Sequence, residues 1–336
     1  MMVAMAVMLT DAASFQRSFH QRWSLLKDPH VRALAWLLDA PDLLDAQAPR
    51  WQGRIASLEP EAAIAAKDWL IALDREPAAL HAYLDVHRFT RLGRYAEKLL
   101  AWYFTHVQRL FAHGVQVRSA KDETIGEFDF LLRKKEGGKG LLHWELATKF
   151  YLLCSANPVY AQVQQADYFV GPNLADTLGA KMRKILQRQL LLGEHPAAQS
   201  LLPEPLISAQ ALVKGWLFYR REEPVDPQRL GISANHCRGW WCTLAELEEH
   251  IGEYVAIMPR LAWLAPARMS ASDSMNVSAL RSWLERQFSE DLMPVMVATL
   301  QPSQDAMLEV DRGFVVPDDW RQRADQKLRG LSAPFI

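Results

Sequence analysis

The sequence predicts an α/β protein with a helical first third. Three observations carry that reading. Apolar residues recur at helical spacing from about residue 14 to 110. The pattern then changes to short segments rich in β-formers separated by polar or glycine-rich turns. From residue 88 to 220 the order is helix, three strands, helix, strand.

The elements follow in chain order. FQRSFHQRWSLLKDPHVRALAWLLDAPDLL reads as helix broken at Pro29 and Pro41. AAIAAKDWLIALDREP and the long amphipathic PAALHAYLDVHRFTRLGRYAEKLLAWYFTHVQRL continue the helical region, with Gly114 as the helix stop. VQVRSA, TIGEFDFLLR and GLLHWELATKFYLL are the three strands, and KKEGGKG is a hairpin connection between the last two. NLADTLGAKMRKILQRQLLL is the next helix, with Asn173 and Asp176 as its capping residues. PLISAQALVKGWLFYR is a further strand. Beyond residue 220, TLAELEEHI reads as a helix capped by Thr243, and VSALRSWLERQF as one starting near Asn276 or Ser278. PVMVATL and EVDRGFVVP read as strands. The expected organisation is a helical extension (1–87), an α/β core (88–220) and a mixed α+β C-terminal region (221–336). No internal repeat or low-complexity tract is present.

Composition bounds the function. A chain of 336 residues, 50% hydrophobic, can bury a sizeable core. The net charge of −1 lacks the basic excess of many nucleic-acid binders, although a local basic face is compatible with it. Twelve tryptophans read first as packing and second as base-stacking surface. Three cysteines (Cys154, Cys237, Cys242) with no CxxC pair argue against a disulfide framework and a zinc ribbon. His236 beside Cys237 and Cys242 has no evident fourth zinc partner. The apolar start MMVAMAVML has no basic flank, which reads against a signal peptide. No run approaches the roughly 20 apolar residues of a membrane span. A cytoplasmic location is the expectation.

Chemistry concentrates in residues 126–150. Strand period places Glu127 and Asp129 on one face of their strand. It places His143, Glu145, Ala147 and Lys149 on one face of the next. Aspartate is a poor strand former, yet here it stands among Phe128, Phe130 and Leu131. Carboxylates converging from paired strands suit a hard divalent cation, and a nearby lysine suits stabilisation of phosphodiester charge. The bland alternative is a solvated strand face. HWE has the His-x-Glu of zinc deaminases, but the PCxxC that must follow is missing from the sequence.

These residues and their order resemble the PD-(D/E)XK, or restriction-endonuclease-like, nuclease superfamily, closest to its RecB-like branch. RLGRYAE resembles the first core helix, with Gly93 and Glu97. GEFD resembles the second strand, with Gly126 and Asp129. HWELATK resembles the third strand, with Glu145. The resemblance covers about residues 88–220. It implies Mg²⁺ or Mn²⁺ held by Asp129, Glu145 and Glu97, and hydrolysis of a nucleic-acid phosphodiester, DNA ahead of RNA. The superfamily has lysine two residues after the third-strand Glu, where this chain has Ala147. Lys149, about 6.6 Å further along the strand, takes the role, or Lys181 or Lys184 on the following helix does, or catalysis is lost and a binding or scaffold module remains. Arg88, Arg91, Arg94 and Lys98 on the first core helix, and Lys181, Arg183, Lys184 and Arg188 on the second, are the expected phosphate contacts. A small phosphorylated substrate is a third reading. The whole chain, through RLGRYAEKL, HWELATKFYL, WLAP and RGFVVPDDW, also resembles a bacterial family of domains of unknown function.

Overall fold

The structure is a computed structural model that describes residues 14–332, apart from 60, 86–90, 136, 156–164 and 221–226. In the N-terminal part, Ser14 caps α1 (Phe15–Arg22). Asp28 caps α2 (Pro29–Asp39) by accepting from the backbone N–H of His30 and Val31. Pro29 therefore opens a helix rather than breaking one, because the first helical position needs no N–H donor. Val31–Leu38 of α2 are all buried. The short strand β1 (Ile55–Ala56) and helices α3 (Ala62–Ala65), α4 (Lys67–Arg75) and α5 (Ala78–Leu84) follow. Next comes α6 (Leu92–His106), whose inward face buries Leu92, Tyr95, Leu99, Leu100, Tyr103 and Phe104. α6 ends where Gln108 turns left-handed (φ 56°) and the Arg109 N–H bonds to the Phe104 carbonyl. Gly114 is thus no helix stop; it lies inside the next strand with φ +64°.

The sheet begins with the antiparallel strands β2 (Leu110–Arg118), β3 (Thr124–Arg133) and β4 (Leu141–Leu153). The two-residue β5 (Phe169–Val170) pairs with the end of β4. Helices α7 (Leu178–Lys184) and α8 (Pro196–Gln199) lead to β6 (Leu206–Tyr219), which runs parallel to β4. The order helix, three strands, helix, strand is present over residues 92–219, with β5 and α8 as small additions. The C-terminal strands β7 (Cys237–Thr243), β8 (Tyr254–Ile257), β9 (Arg268–Met269), β10 (Val295–Pro302) and β11 (Met307–Val316) extend the same sheet. Its order is β2-β3-β4-β6-β7-β11-β10-β8. β6, β7 and β11 are parallel neighbours, so the region after residue 220 is joined to the core through backbone pairing. Asn276 caps α9 (Val277–Glu290), and α10 (Trp320–Ser332) closes the chain. Thr243 forms a capping box with Glu246, but the segment it starts, Leu244–Glu249, is a 3₁₀ helix.

β6 is buried without interruption from Ala211 to Tyr219, as expected of a central parallel strand covered on both faces. The main apolar core runs from Phe19 to Leu328 and unites helices from both ends of the chain with the sheet. The tryptophans serve it: Trp36, Trp216, Trp241 and Trp320 are fully buried, and none of the twelve is exposed. Among the described residues, no helix is long and apolar enough to cross a membrane.

β3 and β4 pair only from Phe130/Trp144 to Arg133/Leu141. Past that point β3 continues with β2, whereas β4 continues with β6. The two strands fork, and Asp129 and Glu145 are the first residues beyond the last pair.

Candidate active site

At the fork the Leu146 N–H has no strand partner on β3. The Asp129 carboxylate replaces it, Oδ2 accepting from Leu146 N at 2.9 Å. The aspartate is therefore fixed by the geometry that a better strand former would close. A cleft of about 720 Å³ opens here. The start of α6 contributes Arg91, Gly93, Arg94 and Glu97, and β3 contributes Gly126, Glu127 and Asp129. Ala147, Thr148 and Lys149 of β4 form another wall, and Lys181, Lys184, Arg188 and Gln189 close the far side.

Glu97, Glu127 and Asp129 converge, each offering a carboxylate oxygen within 4.8 Å of the others. Glu145 is 1% exposed and held on both oxygens. His143 Nε2 lies 2.8 Å from Oε1, and Gln189 Nε2 donates to Oε2 at 2.5 Å. Gln189 accepts in turn from Lys181 Nζ at 3.2 Å. It reaches Glu145 because α7 widens into a π-turn over Ile185–Gln189, with the Leu190 N–H bonded to the Ile185 carbonyl.

The electrostatics follow from this crowding. Burial, then the charges of Glu145 and Glu97, push the Asp129 carboxyl up to about 8. Burial pushes Glu97 up to about 7; Arg94 opposes the shift, and Glu127 and Glu145 add to it. Lys181 is lowered by burial and by Lys149 and Lys184, against the pull of Glu145 and Asp129. Asp129 thus keeps its proton at neutral pH and Glu97 is close to half-protonated, and both would release protons to a divalent cation. All-oxygen carboxylate donors are what Mg²⁺ and Mn²⁺ accept.

The residues singled out from the sequence distribute as follows. Glu97 and Asp129 come together, joined by Glu127, and both sense the charge of Glu145. Lys149 lines the cleft, but its ammonium pairs with Asp176 Oδ2 at 3.1 Å, an oxygen that also accepts from the Tyr151 hydroxyl. Asp176 is thereby occupied, and α7 is capped by Thr177 rather than by Asn173 or Asp176. Ala147 is buried where the resemblance expects lysine. Arg91, Lys181, Lys184 and Arg188 line the cleft. Arg94 also lines it but is bound to Glu127 at 2.6 Å. Lys98 donates to the Tyr83 carbonyl and lies over the Tyr83 ring. Arg183 pairs with Asp167. Arg88 lies outside the described residues. His236 has both ring nitrogens engaged, by Tyr219 and Ser233.

Two residues of the site, His143 and Gln189, were not assigned a role from the sequence. Strand period placed His143 on the face of Glu145, which is the signal that finds it. Gln189 carries no such signal, because a regular helix would not deliver it there. The model of a protein family described as a domain of unknown function, DUF1853, matches residues 32–316. No curated protein and no solved structure matches the chain.

Proposed function

The chain belongs to the DUF1853 family, and from its half-buried carboxylate cluster we propose that it is a divalent-cation-dependent nuclease on a restriction-endonuclease-like core. The observation that carries this reading is the convergence of Glu97, Glu127 and Asp129 at the β3/β4 fork, where burial first and neighbouring carboxylates second raise the proton affinities of Glu97 and Asp129. The order helix, three strands, helix, strand over residues 92–219 supports the core assignment. A basic rim of Arg91, Lys184 and Arg188 supports a polyanionic substrate, DNA ahead of RNA. A cytoplasmic location belongs to the same proposal.

In this reading Glu97, Glu127 and Asp129 would hold Mg²⁺ or Mn²⁺, with Glu145 adding negative charge from behind. Such a cation would supply Lewis-acid chemistry, lowering the pKa of a coordinated water and polarising a phosphodiester. Leu146 N–H fixes the Asp129 carboxylate, and His143 and Gln189 fix that of Glu145. Lys181, tied to Glu145 through Gln189, presents the ammonium that stabilises charge developing on the phosphate. Lys149 is the alternative donor if Asp176 releases it. Arg91, Lys184 and Arg188 hold flanking phosphates.

The second reading is a nucleic-acid-binding or scaffold module without catalysis. It is favoured by the Lys149–Asp176 pair and by the buried Ala147. One experiment separates the two: incubation of single- and double-stranded DNA and RNA with the full chain in Mn²⁺ and in Mg²⁺. The nuclease reading expects cleavage that is lost in Asp129→Ala and Glu145→Ala. Salt-dependent binding without cleavage of any substrate replaces it with the binding module. Neither binding nor cleavage removes both.

A further inference from the structure

Glu127 and Glu97 already face a cation of the chain's own. The Arg94 guanidinium donates to both oxygens of Glu127, at 2.6 and 3.2 Å, and Nη1 lies 3.4 Å from Glu97 Oε2. Resting on the cation-dependent reading above, we propose that Arg94 is a counter-ion latch that competes with the divalent cation for Glu97 and Glu127 and sets the cation concentration at which the site fills.

A bidentate arginine engages both oxygens of a carboxylate. A cation that takes Glu127 must share its carboxylate with the guanidinium, and two positive charges a few ångströms apart oppose each other. Fully opposed ligands would bind weakly, but Arg94 can leave. Its side chain is 53% exposed, so release costs little desolvation. It also has space to move. Arg94, Glu97 and Glu127 form a wall shared by the main cleft and by a second pocket of about 280 Å³, lined further by Lys98, His113 and Gln116. The latch holds the acidic cluster together while no divalent cation is bound and adds a threshold to its filling. Arginine suits this role better than lysine, because its fork spans both Glu127 oxygens.

The test is calorimetric titration of the full chain with MnCl₂ at pH 8, for wild type, Arg94→Ala, Arg94→Gln and Arg94→Lys, with circular dichroism confirming the fold. Removing the competitor in Arg94→Ala and Arg94→Gln tightens Mn²⁺ binding about tenfold, which corresponds to about 1.4 kcal/mol. Arg94→Lys falls between those variants and wild type. Affinity equal to or weaker than wild type in both neutral variants overturns the latch and leaves the cation site standing. No Mn²⁺ binding in any of the four proteins removes the cation site, and the latch with it.

Discussion

Replacing Asp129 with asparagine should make the cation-free protein more stable at alkaline pH. In the folded chain Asp129 keeps its proton up to about 8 and Glu97 up to about 7. In the unfolded chain both ionise near about 4. The contribution of these raised groups is therefore fully present below about pH 4. It is lost as pH rises towards 8, by up to about 1.4 kcal/mol per pH unit for each group. Coulomb's law gives a matching scale. Two ionised carboxylates with oxygens no more than 4.8 Å apart repel by at least about 3.5 kcal/mol at an effective dielectric of about 20. Asparagine has no proton to lose and keeps an acceptor for the Leu146 N–H. Urea unfolding in EDTA should show Asp129→Asn within about 1 kcal/mol of wild type at pH 4.5 and more stable by about 2–4 kcal/mol at pH 8.5. Mn²⁺ should restore wild-type stability at pH 8.5 and leave the variant unchanged. A gain of the same size at both pH values, or a loss at pH 8.5, refutes the reasoning.

Three further outcomes follow from named contacts. Gln189→Leu removes the donor to Glu145 and the acceptor for Lys181, so steady-state cleavage should fall about 10- to 100-fold with oligonucleotide affinity little changed. Lys181→Ala should cost more activity than Lys149→Ala, because Lys149 is committed to Asp176. That half-exposed pair is worth at most about 1 kcal/mol in a denaturation experiment, and the reverse ranking of activities returns the role to Lys149. Gly215→Ala would place a Cβ 1.8 Å from the Lys149 carbonyl oxygen. A loss of roughly 3 kcal/mol or more by chemical denaturation is expected, with the β4–β6 pairing the part that gives way.

Much of the architecture could be read before the coordinates. The change from a 3.6-residue to a two-residue apolar period marks the passage from α6 to β2, and the same period puts Glu127 beside Asp129. The aspartate among Phe128, Phe130 and Leu131 is legible as a poor strand former out of place, but the fork of β3 from β4 that seats it is not. What escaped the sequence is what depends on partners remote in the chain. The Asp176 claim on Lys149 joins residues on a strand and on a later loop. Gln189 enters through a π-turn with no local sequence mark. Gly114 looked like a helix stop because glycine serves both left-handed caps and left-handed kinks in strands. The turn that ends α6 uses Gln108 instead. The joining of β7 to β6 and of β11 to β7 rests on parallel pairing between residues roughly 20 and 70 positions apart, for which buried apolar runs alone give no register.

The most direct test of the central claim is an anomalous difference map from crystals grown in millimolar MnCl₂ at pH 8. The account predicts a manganese peak at the β3/β4 fork, within about 2.0–2.6 Å of oxygens from Glu97, Glu127 and Asp129. The peak should be missing from Asp129→Asn crystals grown the same way. A wild-type map with no peak between those three carboxylates, or a peak only elsewhere on the surface, would contradict it.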